Sequence, residues 1–301
     1  MLYDYENDGL LSGKRTYRGE RRGVPVSVIT AEKLTGQVGA AVVGVDRDRL
    51  LSDDALPAWT LQALEEHGVL VFPGLGLDDA TQVAFSKKLG RVETFGGPDS
   101  EFPEIFRVTL DPTKNKSARY LKGTFDWHID GMTDDIPIMA TLLSAHVLAD
   151  SGGETEFASA YHAYESLTDA EKEEFEQLSV VHTIEAAQRS LNPSEKEREH
   201  LRQRPSKTHP LVWTHASGRK SLVLGVTADH VVGMEPEESE AFLIGLLERV
   251  TAPERVYRHS WTVGDLVIWD NRGVLHRVCP YDESSPRDMH RTTLHGDEAV
   301  Q

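Results

Sequence analysis

Apolar residues follow two rhythms along the chain. In the first ninety residues, VGAAVVGVD (38–46) and VLVFPG (69–74) predict strands, and the stretches 54–66 and 78–89 predict helices. Asp78 is placed to cap the second helix. From about residue 104 the apolar runs shorten. Strands are predicted at 106–110, 138–148, 155–159, 179–184, 210–215, 221–226, 265–270, 274–278 and 289–295, with helices at 160–178 and 236–250. Many short strands separated by turn residues predict a mainly β architecture with flanking helices, a jelly roll or barrel and not a βαβ sheet. Gly74-x-Gly76 follows a strand as a dinucleotide loop would, but Asp79 stands where the third glycine belongs. Residues 1–25 read as a polar, solvated arm. Residues 26–301 read as one domain with loop or lid insertions near 91–124 and 185–208.

Composition narrows the partners. The chain has 301 residues and a formal net charge of −17, which argues against nucleic acid and against an anionic membrane surface. At 39% hydrophobic and 27% charged residues it is ordinary globular material. The single cysteine, Cys279, excludes an internal disulfide and fits a reducing compartment. No apolar run reaches the ~18 residues of a membrane span. The expectation is a cytoplasmic protein acting on a small molecule.

Thirteen histidines raise the question of which of them converge. Trp127-His128-Ile129-Asp130 puts an imidazole and a carboxylate at i and i+2, one face of an extended segment. His295-Gly296-Asp297 repeats the spacing, and spacing alone does not choose between them. GDLVIWDNRGVLHR (264–277) delivers His276 onto a strand after a turn, an apolar strand and a second turn. His128, Asp130 and His276 would form a two-histidine, one-carboxylate set that leaves one face of an octahedral ion open, as in non-haem Fe(II) oxygenases. Arg287 and Arg291 share a face of an extended strand, and an arginine inside a barrel mouth needs an anionic partner. Gly152-Gly153-Glu154-Thr155 reads as a turn entering a strand, with the Thr155 hydroxyl offered to the pocket. By parity His290 and Cys279 face away from the site, and Trp269 is expected in the core.

Taken together, TGQVGAAVVGVD, the helix ending KKLGRVE, WHID, SGGETEF, GDLVIWDNRGVLHR and RDMHRTTLHGD resemble the taurine/2,4-dichlorophenoxyacetate dioxygenase family across about residues 38–296. The resemblance implies a double-stranded β-helix and an enzyme that uses Fe(II), 2-oxoglutarate and O2. It implies that His128, Asp130 and His276 are the iron ligands and the metal-borne catalytic set. It further implies that Thr155 and Arg287 bind the distal carboxylate of the cosubstrate, and that Arg291 grips an acidic group of the primary substrate. His295-Gly296-Asp297 falls in the family's closing turn. The taurine enzyme binds its sulfonate with a histidine upstream of the metal motif, but no histidine lies between His67 and His128 here, which speaks against taurine.

The expected reaction is oxidation of a C–H bond of a small anionic compound, by hydroxylation, with release of succinate and CO2. Desaturation or cyclisation by the same iron site is the alternative. A zinc hydrolase would accept the same three ligands but would not need Arg287 and Thr155. A homo-oligomer is a further expectation from the resemblance.

Overall fold

The computed structural model describes residues 28–97 and 99–301, so the proposed arm at 1–25 lies outside the described residues. In chain order the strands are β1 (Thr30–Lys33), β2 (Ala40–Val43), β3 (Val69–Phe72), β4 (Phe106–Val108), β5 (Ala140–Val147), β6 (Thr155–Ser159), β7 (Ser179–His182) and β8 (Lys207–Pro210). They continue with β9 (Val212–Thr214), β10 (Lys220–Leu222), β11 (Ala228–Val231), β12 (Val256–His259), β13 (Leu266–Asp270), β14 (Val274–Val278) and β15 (Asp288–Leu294). The helices are α1 (Arg47–Ser52), α2 (Leu56–His67), α3 (Asp79–Leu89), α4 (Ala118–Leu121), α5 (Ala160–Glu165), α6 (Asp169–Phe175), α7 (Ile184–Ala187), α8 (Glu195–Arg202) and α9 (Pro236–Val250).

Seven strands form the major sheet, in the order β1-β2-β3-β13-β5-β15-β4. A smaller sheet, β12-β6-β14, faces it and completes the jelly roll. The central strands read as unbroken apolar runs because both of their faces are covered. In β13, Leu266 and Ile268 belong to the layer under α1–α3, whereas Val267 and Trp269 belong to the core between the sheets. The same alternation runs through β3, where Val69 and Val71 point inward and Leu70 and Phe72 point to the helices. A third apolar layer gathers α9 and strands β7, β9, β10 and β11 around Trp213 and Leu246.

Helix α3 fastens the strand that carries the arginines. Gln82 donates to the His290 carbonyl at 3.0 Å and accepts from the Ser144 hydroxyl at 2.6 Å, and Ser86 and Thr292 share a hydrogen bond of 2.7 Å. All four side chains are buried, so breaking one bond strands its partner at a cost of about 1–3 kcal/mol. Asp288, beside Arg287, is held by Arg107 and Lys114. The pairing of β5 with β15 skips His146, placing the bulge on β5 and leaving the face alternation of β15 intact.

Several predicted elements shift. The expected helix at 160–178 is two helices, because Thr168 and Glu171 build a capping box that starts α6 afresh. The expected loop at 185–208 contains most of α7 and all of α8, whose Ser194–Glu197 capping box was a readable signal.

Candidate active site

His128 does not sit on a full strand. It makes an isolated antiparallel bridge to His276 of β14, with reciprocal backbone hydrogen bonds of 3.0 and 2.9 Å. This pairing places two imidazoles side by side, their centroids 4.1 Å apart. Asp130 follows at the start of a turn whose Gly131 has φ +84°. Gly225 presses on the bridge from behind, where an added Cβ would lie 3.0 Å from the His128 Cα, and its own φ is +113°. A side chain there would displace the bridge.

His128 Nδ1 lies 2.8 Å from the Asp126 carbonyl. A carbonyl only accepts, so Nδ1 carries a proton, and in the neutral ring Nε2 is the atom with the lone pair. That Nε2 lies 3.9 Å from one Asp130 oxygen, and the His276 Nε2 lies 3.8 Å from the other. These gaps are too long for hydrogen bonds. They are shorter than two metal–ligand bonds of about 2.1 Å laid end to end, so a metal ion fits between the groups. Nδ1 of His276 is buried near the Val274 carbonyl without a well-formed hydrogen bond.

Charge states suit a cation. Burial, reinforced by His128, pushes the His276 imidazole down to about 3, so the ring is neutral at pH 7. Burial alone would raise the Asp130 carboxyl, but Arg291 and the two histidines more than offset it and hold it below the usual carboxylate range. Arg291 stands 3.6 Å from Asp130, and Thr141 donates to Asp130 at 3.4 Å.

The cleft beside these ligands is lined by Val108, Leu143, Thr155, Trp269, Arg287 and Arg291, among others. Trp269 is therefore both core and pocket wall, its ring 4.8 Å from that of His276. Arg287 is 2% exposed. It meets the Gly153 carbonyl at 3.3 Å and the ring of Tyr281 at 4.9 Å, and burial, only partly offset by Tyr281, lowers its affinity for its proton. A guanidinium so placed lacks a carboxylate among the described residues, and the cleft is open to supply one. Gly153 permits the approach, since a Cβ there would fall 3.0 Å from the Arg287 Nε. The sequence alone did not reveal Phe95 and Phe106, whose rings lie 5.6 and 4.7 Å from the Arg291 guanidinium.

Other clusters do not have this form. Asp79, His146 and His290 gather on the opposite face of the sheet, where parity puts His290. There His290 and Asp79 are already joined by a 2.5 Å hydrogen bond, and the imidazoles stack 3.7 Å apart with planes 20° from parallel. Asp79 opens α3 while His146 and His290 belong to β5 and β15, so the cluster clamps α3 to the sheet. Ser221, His215 and Glu298 form a serine–histidine–carboxylate string, but Ser221 is fully buried and its hydroxyl donates to the Arg272 carbonyl. His295 bonds through its backbone to Arg91, and His295 and Asp297 stand outside both metal-ligating clusters.

The jelly roll and the cleft beside two histidines and a carboxylate have the form of a non-haem Fe(II)- and 2-oxoglutarate-dependent dioxygenase. Residues 30–293 match the taurine catabolism dioxygenase TauD, TfdA family, and the chain belongs to it. It is 37% identical over 249 residues to an alpha-ketoglutarate-dependent 2,4-dichlorophenoxyacetate dioxygenase of Burkholderia sp. (strain RASC), covering 77% of this chain and 83% of that one. An (S)-phenoxypropionate/alpha-ketoglutarate-dioxygenase of Sphingobium herbicidovorans is 32% identical over 278 residues, with coverage of 89% and 95%. The crystal structure of AAD-2 in complex with Mn(II) and N-oxalylglycine matches with a TM-score of 0.76 at 33% identity, covering 91% of this chain and all of that one. The enzyme is an oxidoreductase that uses Fe(II), 2-oxoglutarate and O2. No helix among the described residues is long and apolar enough to cross a membrane.

Two buried histidines set an acid limit. His182 and His276 are each pushed down to about 3 by burial, from an ordinary 6.5. As pH falls, the unfolded chain takes up these protons before the folded one does. Stability is full above about pH 6.5 and is lost between there and about pH 3, at up to ~1.4 kcal/mol per pH unit for each histidine. The urea midpoint of metal-free protein therefore drops steadily from pH 6.5 to 4.5. A constant midpoint over that window would contradict the burial of these rings as neutral groups.

Proposed function

We propose that His128, Asp130 and His276 hold Fe(II) by one face, that Thr155 and Arg287 hold the distal carboxylate of 2-oxoglutarate, and that Arg291 receives the anionic group of an aryl-bearing carboxylic acid. The observation that carries this reading is Arg291 itself. Its Nε is buried without a hydrogen-bond partner, and its guanidinium lies against Phe95 and Phe106. A carboxylate on that cation brings an attached ring against two aromatic faces. The two phenoxyalkanoate-named relatives support the same class.

When bound, the iron couples oxidative decarboxylation of 2-oxoglutarate by O2 to insertion of one oxygen atom into a substrate C–H bond, leaving an alcohol, succinate and CO2. The chain supplies position and shelter. Thr141 and Arg291 keep Asp130 ionised, Arg287 neutralises the distal carboxylate, and Leu143, Val108 and Trp269 keep water from the reacting carbon. If that carbon bears an ether oxygen, the product is a hemiacetal that collapses and cleaves the C–O bond.

Succinate release tests the substrate class. Phenoxyacetate supports turnover, its neutral amide is a much poorer substrate, and Arg291→Ala lowers the acid-to-amide ratio of kcat/KM about 10- to 100-fold, as expected for losing charge-assisted hydrogen bonds. An unchanged ratio, or preference for a linear alkyl sulfate over every aryl acid, would overturn the assignment.

We further place the enzyme in the cytoplasm, since one cysteine suits a reducing compartment, and as a homo-oligomer by resemblance to its family. Residues 26–301 act as one domain in this reading. The insertions near 91–124 and 185–208 would form the walls of the mouth, tied together by the Arg119–Glu197 ion pair.

A further inference from the structure

Trp261 lies between β12 and β13, and its indole Nε1–H donates to the Thr155 hydroxyl oxygen at 3.0 Å. An indole nitrogen can only donate, so Thr155 must accept. The threonine's own proton is left free, and one of its lone pairs is committed away from the cleft. A carboxylate only accepts, so the hydroxyl must donate to it, and the indole bond holds the oxygen while leaving that proton free for the cleft.

The indole is itself held by the fold. The His259 ring meets it edge-on at 4.6 Å and 84°. His259 lies 3.3 Å from Asp265 and shares a 3.0 Å hydrogen bond with the Tyr257 hydroxyl. Asp265 in turn accepts from the Gly74 and Thr262 backbone amides, both at 2.9 Å. Trp261 is also a partition. Thr155 lines the active-site cleft, Trp261 lines a separate cleft behind the Gly152–Gly153 turn, and Arg287 borders both.

We propose that Trp261 is a positioning residue for the cosubstrate: it aims the Thr155 hydroxyl as a donor to the distal carboxylate of 2-oxoglutarate and closes the rear of the Thr155–Arg287 clamp. This rests on the reading that Thr155 and Arg287 form that clamp.

Calorimetric titration of 2-oxoglutarate into Mn(II)-loaded protein under argon tests it. Trp261→Phe keeps the ring and removes the donor, and raises Kd about three- to tenfold, the value of one net hydrogen bond. Thr155→Val raises Kd by at least as much. Adding Trp261→Phe to Thr155→Val produces no further loss, because the indole acts through the hydroxyl. Mn(II) affinity stays at the wild-type value in both. A full additional loss in the double variant, or wild-type binding by Trp261→Phe, would overturn the positioning role. Arg287→Ala separates the underlying reading: wild-type binding by that variant would remove the clamp itself, whereas weak binding by Arg287→Ala with normal binding by Trp261→Phe would remove only the role of Trp261. Should Trp261→Phe fold poorly, Thr155→Ser provides the second arm. It keeps the acceptor and must bind near the wild-type level, whereas binding as weak as that of Thr155→Val would count against the proposal.

Discussion

Asp130→Ala abolishes succinate formation, and the protein remains folded. The carboxylate is the only anionic group of the proposed three-ligand set, with its oxygens 3.9 and 3.8 Å from the two histidine Nε2 atoms. Without it two imidazoles remain, and Arg291 at 3.6 Å becomes an unbalanced positive charge beside them. Loss of a supporting group around a metal ligand costs 10- to 100-fold in affinity or activity, so loss of the ligand itself should exceed about a hundredfold. The fold survives because Asp130 lies at a turn and no core strand depends on it. The exposed part of Arg291 limits the stability penalty to about 1–3 kcal/mol. Circular dichroism and metal analysis, run beside a succinate assay, check the three parts. Normal turnover by folded Asp130→Ala protein would remove the assignment of the metal ligands.

Arg287→Met has opposite effects on binding and on stability. Charge-assisted hydrogen bonds contribute about 1.5–3 kcal/mol each, and a bidentate grip on a carboxylate uses two, so KM for 2-oxoglutarate rises about a hundredfold or more. The ligand-free protein behaves otherwise. Arg287 is buried against the Gly153 carbonyl and the ring and hydroxyl of Tyr281, none of them a carboxylate, a poor return for desolvating a cation. Replacing such a buried ion by an apolar side chain of similar length is often neutral or stabilising. The melting temperature of the ligand-free variant should equal or exceed that of the wild type, while the upward shift on adding 2-oxoglutarate disappears. A large loss of stability without ligand would mean that Arg287 is a structural residue.

Much of this was legible in the residues. VLVF and LVIW announce strands because both faces of the major sheet are covered, which leaves no polar alternation to obscure them. The parity of β15 correctly separated Arg287 and Arg291 from His290, because the bulge falls on the partner strand at His146. What escaped was set by long-range packing. β1 (TAEK) and β11 (ADHV) have little β character and exist because edges were available to pair with. The Trp261–Thr155 bond joins residues 106 positions apart, and no local pattern marks it. Phe106 reaches Arg291 because β4 pairs with β15, and Phe95 arrives from the preceding loop by packing on Phe106. The two capping boxes, by contrast, were readable from sequence alone.

The most direct test is an anaerobic titration of 2-oxoglutarate into Fe(II)-loaded protein, following the visible absorption that Fe(II) gains when a 2-keto acid chelates it. A saturable band in the wild type, lost in His276→Ala and shifted to much higher concentration in Arg287→Met, is the predicted result. A band of undiminished strength in His276→Ala, or none in folded, iron-loaded wild-type protein, would contradict the site.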